Sequence, residues 1–215
     1  ITLALTQSVG GMLFGVPAAV AVVSLLLFGR RALLALLGLG AVSAAGVFAL
    51  TRVSARFASL LDFSQGTNFI RLRLWESTLS ILRDRPLTGL GLDQFLYDFR
   101  GHYIRPDAIW DRDLSHPHNV LLDFWTRLGL GGVLVLLWMQ LAFWRTAIAA
   151  YRRHKHDKLM LALSVGAMGS MANLLAHGQI DNSVYVIDLA FVFVFTLALV
   201  QHLVRLSPVD VNRVK

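Results

Sequence analysis

The chain has no cysteine and little charge: only 15% of its 215 residues are Asp, Glu, Lys or Arg. Without cysteine there is no disulfide, no thiolate nucleophile and no Cys-based metal site, although the compartment stays open. The scarcity of charge, set against 56% hydrophobic residues and a mean hydropathy of +0.61, exceeds the apolar content that one soluble core hides, so a membrane class leads. Acidic residues are the scarcer sign, 13 against 20 Lys and Arg, for a net charge of +7 and a pI near 10.5. Such an excess could suit nucleic acid, but the basic residues fall between apolar runs, and no nucleic-acid partner is expected. No secretory signal, tandem repeat or low-complexity tract is apparent. The opening on Ile1, inside an apolar stretch, reads as the later part of a longer protein.

What the chain does have is long apolar runs. Gly11 to Gly29 and Ala32 to Leu50, separated by Arg30 and Arg31, are each long enough to cross a hydrocarbon core of about 30 Å, with Pro17 a possible kink in the first. Further spans begin near Gly129, at Leu159 and at Val184. Placing Arg30-Arg31, the basic Tyr151 to Lys158 loop and the tail on the cytoplasmic side satisfies the positive-inside rule. The expected organisation is an all-α polytopic membrane protein: a transmembrane hairpin over 1–50, an external, partly helical region over 51–128, transmembrane helices over 129–204 and a cytoplasmic tail over 205–215.

Within the external region, Asn68 to Asp84 reads as a helix. Ile70, Leu74, Trp75, Leu79, Ile81 and Leu82 share one face, and Arg73, Glu76, Ser77, Ser80 and Arg83 the other. Arg71 breaks this sorting by projecting into the apolar sector near Trp75, Thr78 and Leu82. A guanidinium there needs an anion: a bound diphosphate, a loop carboxylate such as Asp93 or Asp98, or a snorkelled position at the membrane interface. The following Gly89-x-Gly91 lacks a full phosphate-loop pattern and reads as a turn ending the helix.

The stretch DRDLSHPHNVLLDFWTRLGLGG, Asp111 to Gly132, carries the second group of polar residues. Pro117 suits a first helical turn and Gly129 a C-terminal cap, which predicts a helix over Pro117 to Leu128 with His118, Leu122 and Trp125 on one side. Asp123 and Arg127 should pair at i, i+4. His118 then sits at the positive start of a helix, a setting that suits a neutral imidazole acting as proton acceptor; a plain capping histidine at the membrane surface is the other reading. A metal site from His116, His118, Asp111 and Asp113 lacks a specific ligand spacing, and none is expected. In HGQIDNS, His177 and Asp181 are spaced to meet if the helix continues, giving a supporting pair at a membrane edge or a simple polar turn.

On these residues the chain resembles the O-antigen ligase and polymerase family of bacterial membrane proteins. Its H-[N/S/Q]-x9-G-x-x-G pattern is matched by His118, Asn119, Gly129 and Gly132. Its R-x-x-x-L pattern is approximated from Arg71, with Trp75 at the leucine position. Its Thr-x-Ser-Arg-Gly turn has Val9 where the arginine would stand. The resemblance implies a metal-independent, inverting glycosyltransferase at the outer face of the bacterial inner membrane, without a cofactor. The implied donor is an undecaprenyl-diphosphate-linked glycan, and the acceptor a lipid A core sugar, a glycan repeat or a protein hydroxyl. His118 would be the general base and Arg71 the diphosphate ligand; Asn119 would orient His118 or a sugar hydroxyl. Arg73, Arg52, Arg56 and His116 would be weaker substrate contacts, with His177 and Asp181 behind them. A non-catalytic lipid-glycan transporter or flippase is the alternative, but it should carry its charges near the membrane midplane, whereas here they gather in the external region.

Overall fold

A computed structural model describes residues 10–53, 62–181 and 184–207, which contain helices and no strand. Six long helices are α1 (Gly11–Phe28), α2 (Arg31–Val53), α3 (Gly66–Asp84), α4 (Val120–Arg153), α5 (Lys158–His177) and α6 (Ile187–Arg205). All but α3 are long and apolar enough to span a bilayer, and the protein is an all-α polytopic membrane protein. Its spans expose large apolar side chains such as Leu34, Leu37 and Val42 on α2, Trp138 on α4 and Phe191 and Phe195 on α6, the pattern of helices solvated by lipid.

The chain divides into two compact units, Ile1–Gly29 with Leu136–Lys215, and Arg30–Val135. In the first, Phe143, Ala147, Met168, Met171, Phe193 and Val200 form the core, with Val22 and Leu26 packed on it. Small residues allow close approach: a Cβ on Gly169 of α5 would lie 2.9 Å from the Val23 side chain of α1. Helix ends here leave carbonyls without intrahelical donors, and neighbouring side chains supply them. Tyr151 Oη donates to Leu26 O over 2.7 Å, His154 Nε2 to Leu203 O over 2.9 Å and Arg153 Nε to Leu206 O over 2.8 Å. At the other end of α5's connection, Asp157 caps it through the amides of Leu159 and Met160.

In the second unit α3 packs over the short helical turns Phe95–Asp98 and Phe99–Tyr103 through Leu74, Ile81, Phe95 and Phe99, the last two rings stacked at 5.5 Å. The expected face of α3 is corrected by one position. Ser77 is fully buried whereas Leu79 is 45% exposed, because the core lies beside Leu74, Thr78 and Ile81 and the Ser77 methylene fits there. Helix α4 has 34 residues, about 51 Å, more than a bilayer core needs, and non-helical backbone at Gly129 separates a first segment over 120–128 from the longer run beyond.

Candidate functional site

Two polypeptide crossings tie α3 and the first segment of α4 together. The indole of Trp75, on α3, donates to the Pro117 carbonyl over 2.9 Å, just ahead of α4. Reciprocally, the indole of Trp125 on α4 donates to the Pro86 carbonyl over 2.7 Å, just beyond α3. The loop after α3 adds backbone bonds to the α4 break: Leu90 N donates to Thr126 O over 2.7 Å and Leu130 N to Leu87 O over 3.1 Å. Such contact demands glycine. A Cβ on Gly89 would lie 2.5 Å from Thr126 O, one on Gly129 would overlap the Leu87 carbonyl, and one on Gly132 would lie 2.5 Å from Phe124 O. Gly89 is thus a turn residue, as its sequence suggested, and also a docking surface for α4.

Helix α4 begins later than its sequence predicts. Pro117 and His118 precede it, and Asn119 is the N-cap, with Oδ1 accepting from the amides of Leu121 and Leu122, each at 3.0 Å. A side-chain cap that satisfies two orphan amides outweighs the preference of proline for the first turn. His118 is therefore not one helical turn below Leu122. It stands just outside the helix with φ +50°, a left-handed conformation. Among the described residues only Asp93 shares this among non-glycines, and backbone strain of this kind gathers at sites where neighbours impose it. The His118 ring lies 4.1 Å, centroid to centroid, from that of His116, whose Nδ1 is 3.1 Å from Ser115 Oγ. Asn119 thus keeps its motif position for a physical reason, since it ends the strained His118 backbone and starts the helix.

The arginines separate into paired and unpaired. Arg73 reaches both Glu76 carboxylate oxygens at 2.9 and 3.1 Å, lies 2.8 Å from Asp107 and stacks over Phe69. The Glu76 hydrogen bond, with the charge of Asp107, outweighs desolvation and raises the Arg73 guanidinium above its ordinary range. Arg73 is thus part of an internal lattice, which Arg105 joins at 3.7 Å from Glu76. Arg127 is buried; its Nε donates to Asp123 over 2.8 Å, the expected i, i+4 pair, and it also bonds Asp93. Asp98 lies 3.9 Å from Arg85. The two loop carboxylates that might have neutralised Arg71 thus face other arginines. Arg71 is half-buried and, among the described residues, forms no hydrogen bond, ion pair or ring contact. It lies one helical turn, about 6 Å, before Trp75, whose indole holds the segment bearing His118.

Arg52 is exposed at the end of α2, 4.9 Å over the Phe48 ring, and Arg56 lies outside the described residues. Asp113 bonds Arg100, so one member of the considered metal set is already engaged by a cation. In the first unit α5 stops at His177, and a turn rather than a continuing helix brings Asp181 Oδ2 to 3.9 Å from His177 Nε2. Gly10 packs against that histidine, where a Cβ would lie 3.0 Å from the ring.

Trp75, Trp125 and Asp93 were not singled out from the sequence as residues that build the site. The tryptophans carried a signal, because an indole on a largely apolar face needs an acceptor for its N–H. Asp93 was expected, if anywhere, beside Arg71; its pairing with Arg127, 34 residues on, carried no signal. Compared with known families, residues 1–137 match the model of a family described as O-antigen ligase. No curated protein matches the chain.

Proposed function

We propose a complete transfer reaction for this chain, which belongs to the O-antigen ligase family. Membership implies O-antigen ligase- or polymerase-type glycosyl transfer by a multi-pass inner-membrane protein acting on a lipid-linked glycan. In our reading the donor is a glycan on undecaprenyl diphosphate, and the acceptor is a hydroxyl of a lipid A core sugar, a glycan repeat or a protein. His118 takes the acceptor proton as the oxygen attacks the anomeric carbon. The bond from that carbon to the diphosphate oxygen breaks on the opposite face, inverting the anomeric configuration and releasing undecaprenyl diphosphate. Arg71 binds the diphosphate and stabilises the charge that grows on it, so that no divalent ion is required.

One observation carries the reading: a half-buried guanidinium without a partner among the described residues lies a turn from the tryptophan that holds the His118 segment. A fork-shaped cation left unneutralised in this way suits a planar or tetrahedral oxyanion. The reading assigns Asn119 to holding His118 through the helix cap. It keeps Arg52, Arg56 and His116 as lesser substrate contacts and His177 with Asp181 as a supporting pair. The region 62–128 faces the periplasm. Support for this orientation comes from the ends of α1, α4 and α6, which are bonded to one another in the first unit and adjoin the basic segments.

The test is glycan transfer by purified full-length protein with a lipid-linked oligosaccharide. His118→Ala should lower turnover by about 10³-fold or more while donor binding persists, and Arg71→Lys should weaken donor use about 10-fold or more because a point charge replaces a fork. Wild-type turnover in His118→Ala removes the base. Loss of activity in chelator, restored by a divalent metal, removes the metal-free step.

A further inference from the structure

The buried carboxylate of Asp123 has a feature that a structural ion pair does not require. The residue is 0% exposed, and only Oδ1 is engaged, by Arg127 Nε. Its Oδ2 is buried and has no hydrogen-bond partner among the described residues. Leaving a carboxylate oxygen in this state is costly, by far more than the ordinary gain from one hydrogen bond, unless something else uses its charge. Arg127 does not neutralise it alone, because the same guanidinium also bonds Asp93. Two carboxylates thus share one cation.

The position of that charge follows from helix geometry. Asp123 is the residue whose amide donates to Asn119 O over 2.8 Å, one turn into α4. Side chains on a helix lean toward its N-terminus, so the Asp123 carboxylate overlies the turn that begins at Asn119, next to His118. Burial raises the Asp123 carboxyl above its ordinary range, while the charge of Arg127 and, more weakly, that of His118 favour the carboxylate. The strained backbones on either side of the network, at Asp93 and His118, belong to the same arrangement: one contributes a carboxylate to Arg127, and the other is held ahead of the cap.

We propose that Asp123 is a positioning residue for the base, holding a carboxylate charge behind His118 that stabilises the imidazolium formed when His118 takes the acceptor proton. The proton passes from the acceptor oxygen to the His118 ring and stays there until the ring is discharged to solvent; Asp123 remains a carboxylate throughout. Arg127 sets the orientation of Asp123 through Oδ1 and leaves Oδ2 for this use. The inference rests on the reading of His118 as base, and its failure is separable from the failure of that reading.

The experiment compares Asp123→Asn and Asp123→Glu in full-length protein with a lipid-linked oligosaccharide, reading kcat, both KM values, the solvent deuterium isotope effect and the thermal unfolding midpoint in detergent. Asp123→Asn is isosteric and keeps an acceptor for Arg127. It should lower kcat by about 10-fold or more, leave both KM values within about 2-fold, preserve the unfolding midpoint and enlarge the isotope effect on kcat as proton transfer becomes slower. Asp123→Glu, which restores the charge, should recover part of that kcat. Unchanged kcat in Asp123→Asn overturns the proposal. So does a fall in kcat that comes with a lowered midpoint and an unchanged isotope effect, or a folded Asp123→Glu no faster than Asp123→Asn; either outcome leaves Asp123 a clamp only. If His118→Ala retains wild-type turnover, the base reading itself has failed; if His118→Ala is inactive and Asp123→Asn is not, only this inference has.

Discussion

Residues 66–135 and residues 136–205 use their polar side chains for different ends. In the spans of the second stretch, Tyr151, Arg153 and His154 each donate to a carbonyl at or near the end of a neighbouring helix, so side-chain polarity completes backbone hydrogen bonding. In the first stretch, polarity is charge against charge: Arg73 with Glu76 and Asp107, Arg127 with Asp123 and Asp93, Arg85 with Asp98. That lattice is nearly closed, and what it leaves over is informative. Among the described residues Arg71 has no partner, and Asp123 Oδ2, Ser77 Oγ and Arg73 Nε are buried without a hydrogen bond, as are Gln140 Oε1 and His154 Nδ1 in the other stretch. A buried polar group left unsatisfied calls for an explanation, and a ligand or a transient charge supplies one for Arg71 and for Asp123.

The sharpest way to break the contrast is at Gly129, where the first stretch depends on backbone contact rather than charge. Its φ of 66° and ψ of −161° lie in a region that essentially only glycine adopts, and a Cβ would overlap the Leu87 carbonyl. Gly129→Ala should cost about 3 kcal/mol or more and abolish transfer by undocking the loop after α3 from α4. The measurement is the unfolding midpoint in detergent beside the transfer assay. A variant as stable and active as the parent would show that the Leu87 to Leu130 bond is dispensable.

The glycine pattern shows where sequence reasoning reached and where it stopped. Gly129 and Gly132 were legible as motif members, and Gly129 as a break, because glycine after a helical run is a local signal. The reason for Gly129 is the approach of the Leu87 backbone, a tertiary fact with no local mark; for Gly132 it is the Phe124 carbonyl of the same helix, across the break at Gly129. The spans were legible because apolar length is counted directly. The Asp123–Arg127 pair was legible at i, i+4, but its third member, Asp93, was not. The start of α4 was misread because Pro117 and Asn119 both announce a helix, and their signals differ by several residues. The cap prevailed since it satisfies two amides, and that moved His118 off the helix and into a strained turn.

A second substitution sharpens the contrast within the charged stretch, at the link between Arg71 and His118. Trp75→Phe keeps the apolar ring and deletes the N–H that Pro117 O accepts. The lost bond is worth about 1 kcal/mol of stability. Turnover should fall further than that suggests, by about 10-fold, because a base displaced by a fraction of an ångström transfers a proton poorly. Donor KM should change little, since Arg71 stays on α3. A lowered unfolding midpoint with kcat unchanged would reduce the indole to packing.

The smallest effect is expected in the other stretch, and it tests the division of labour itself. Tyr151→Phe removes the hydroxyl that donates to Leu26 O at the end of α1 and leaves the ring in place. The carbonyl then loses its donor in a setting where water is scarce, at a cost of about 1 kcal/mol, which lowers the unfolding midpoint by about 2–4 °C for a chain of this size. Transfer by the folded fraction should equal that of the parent, because the bond completes a helix end and touches no reacting group. If Tyr151→Phe instead lowered kcat without moving the midpoint, polar side chains in the spans would be acting on the reaction, and the contrast between the two stretches would have to be redrawn around a site that draws on both.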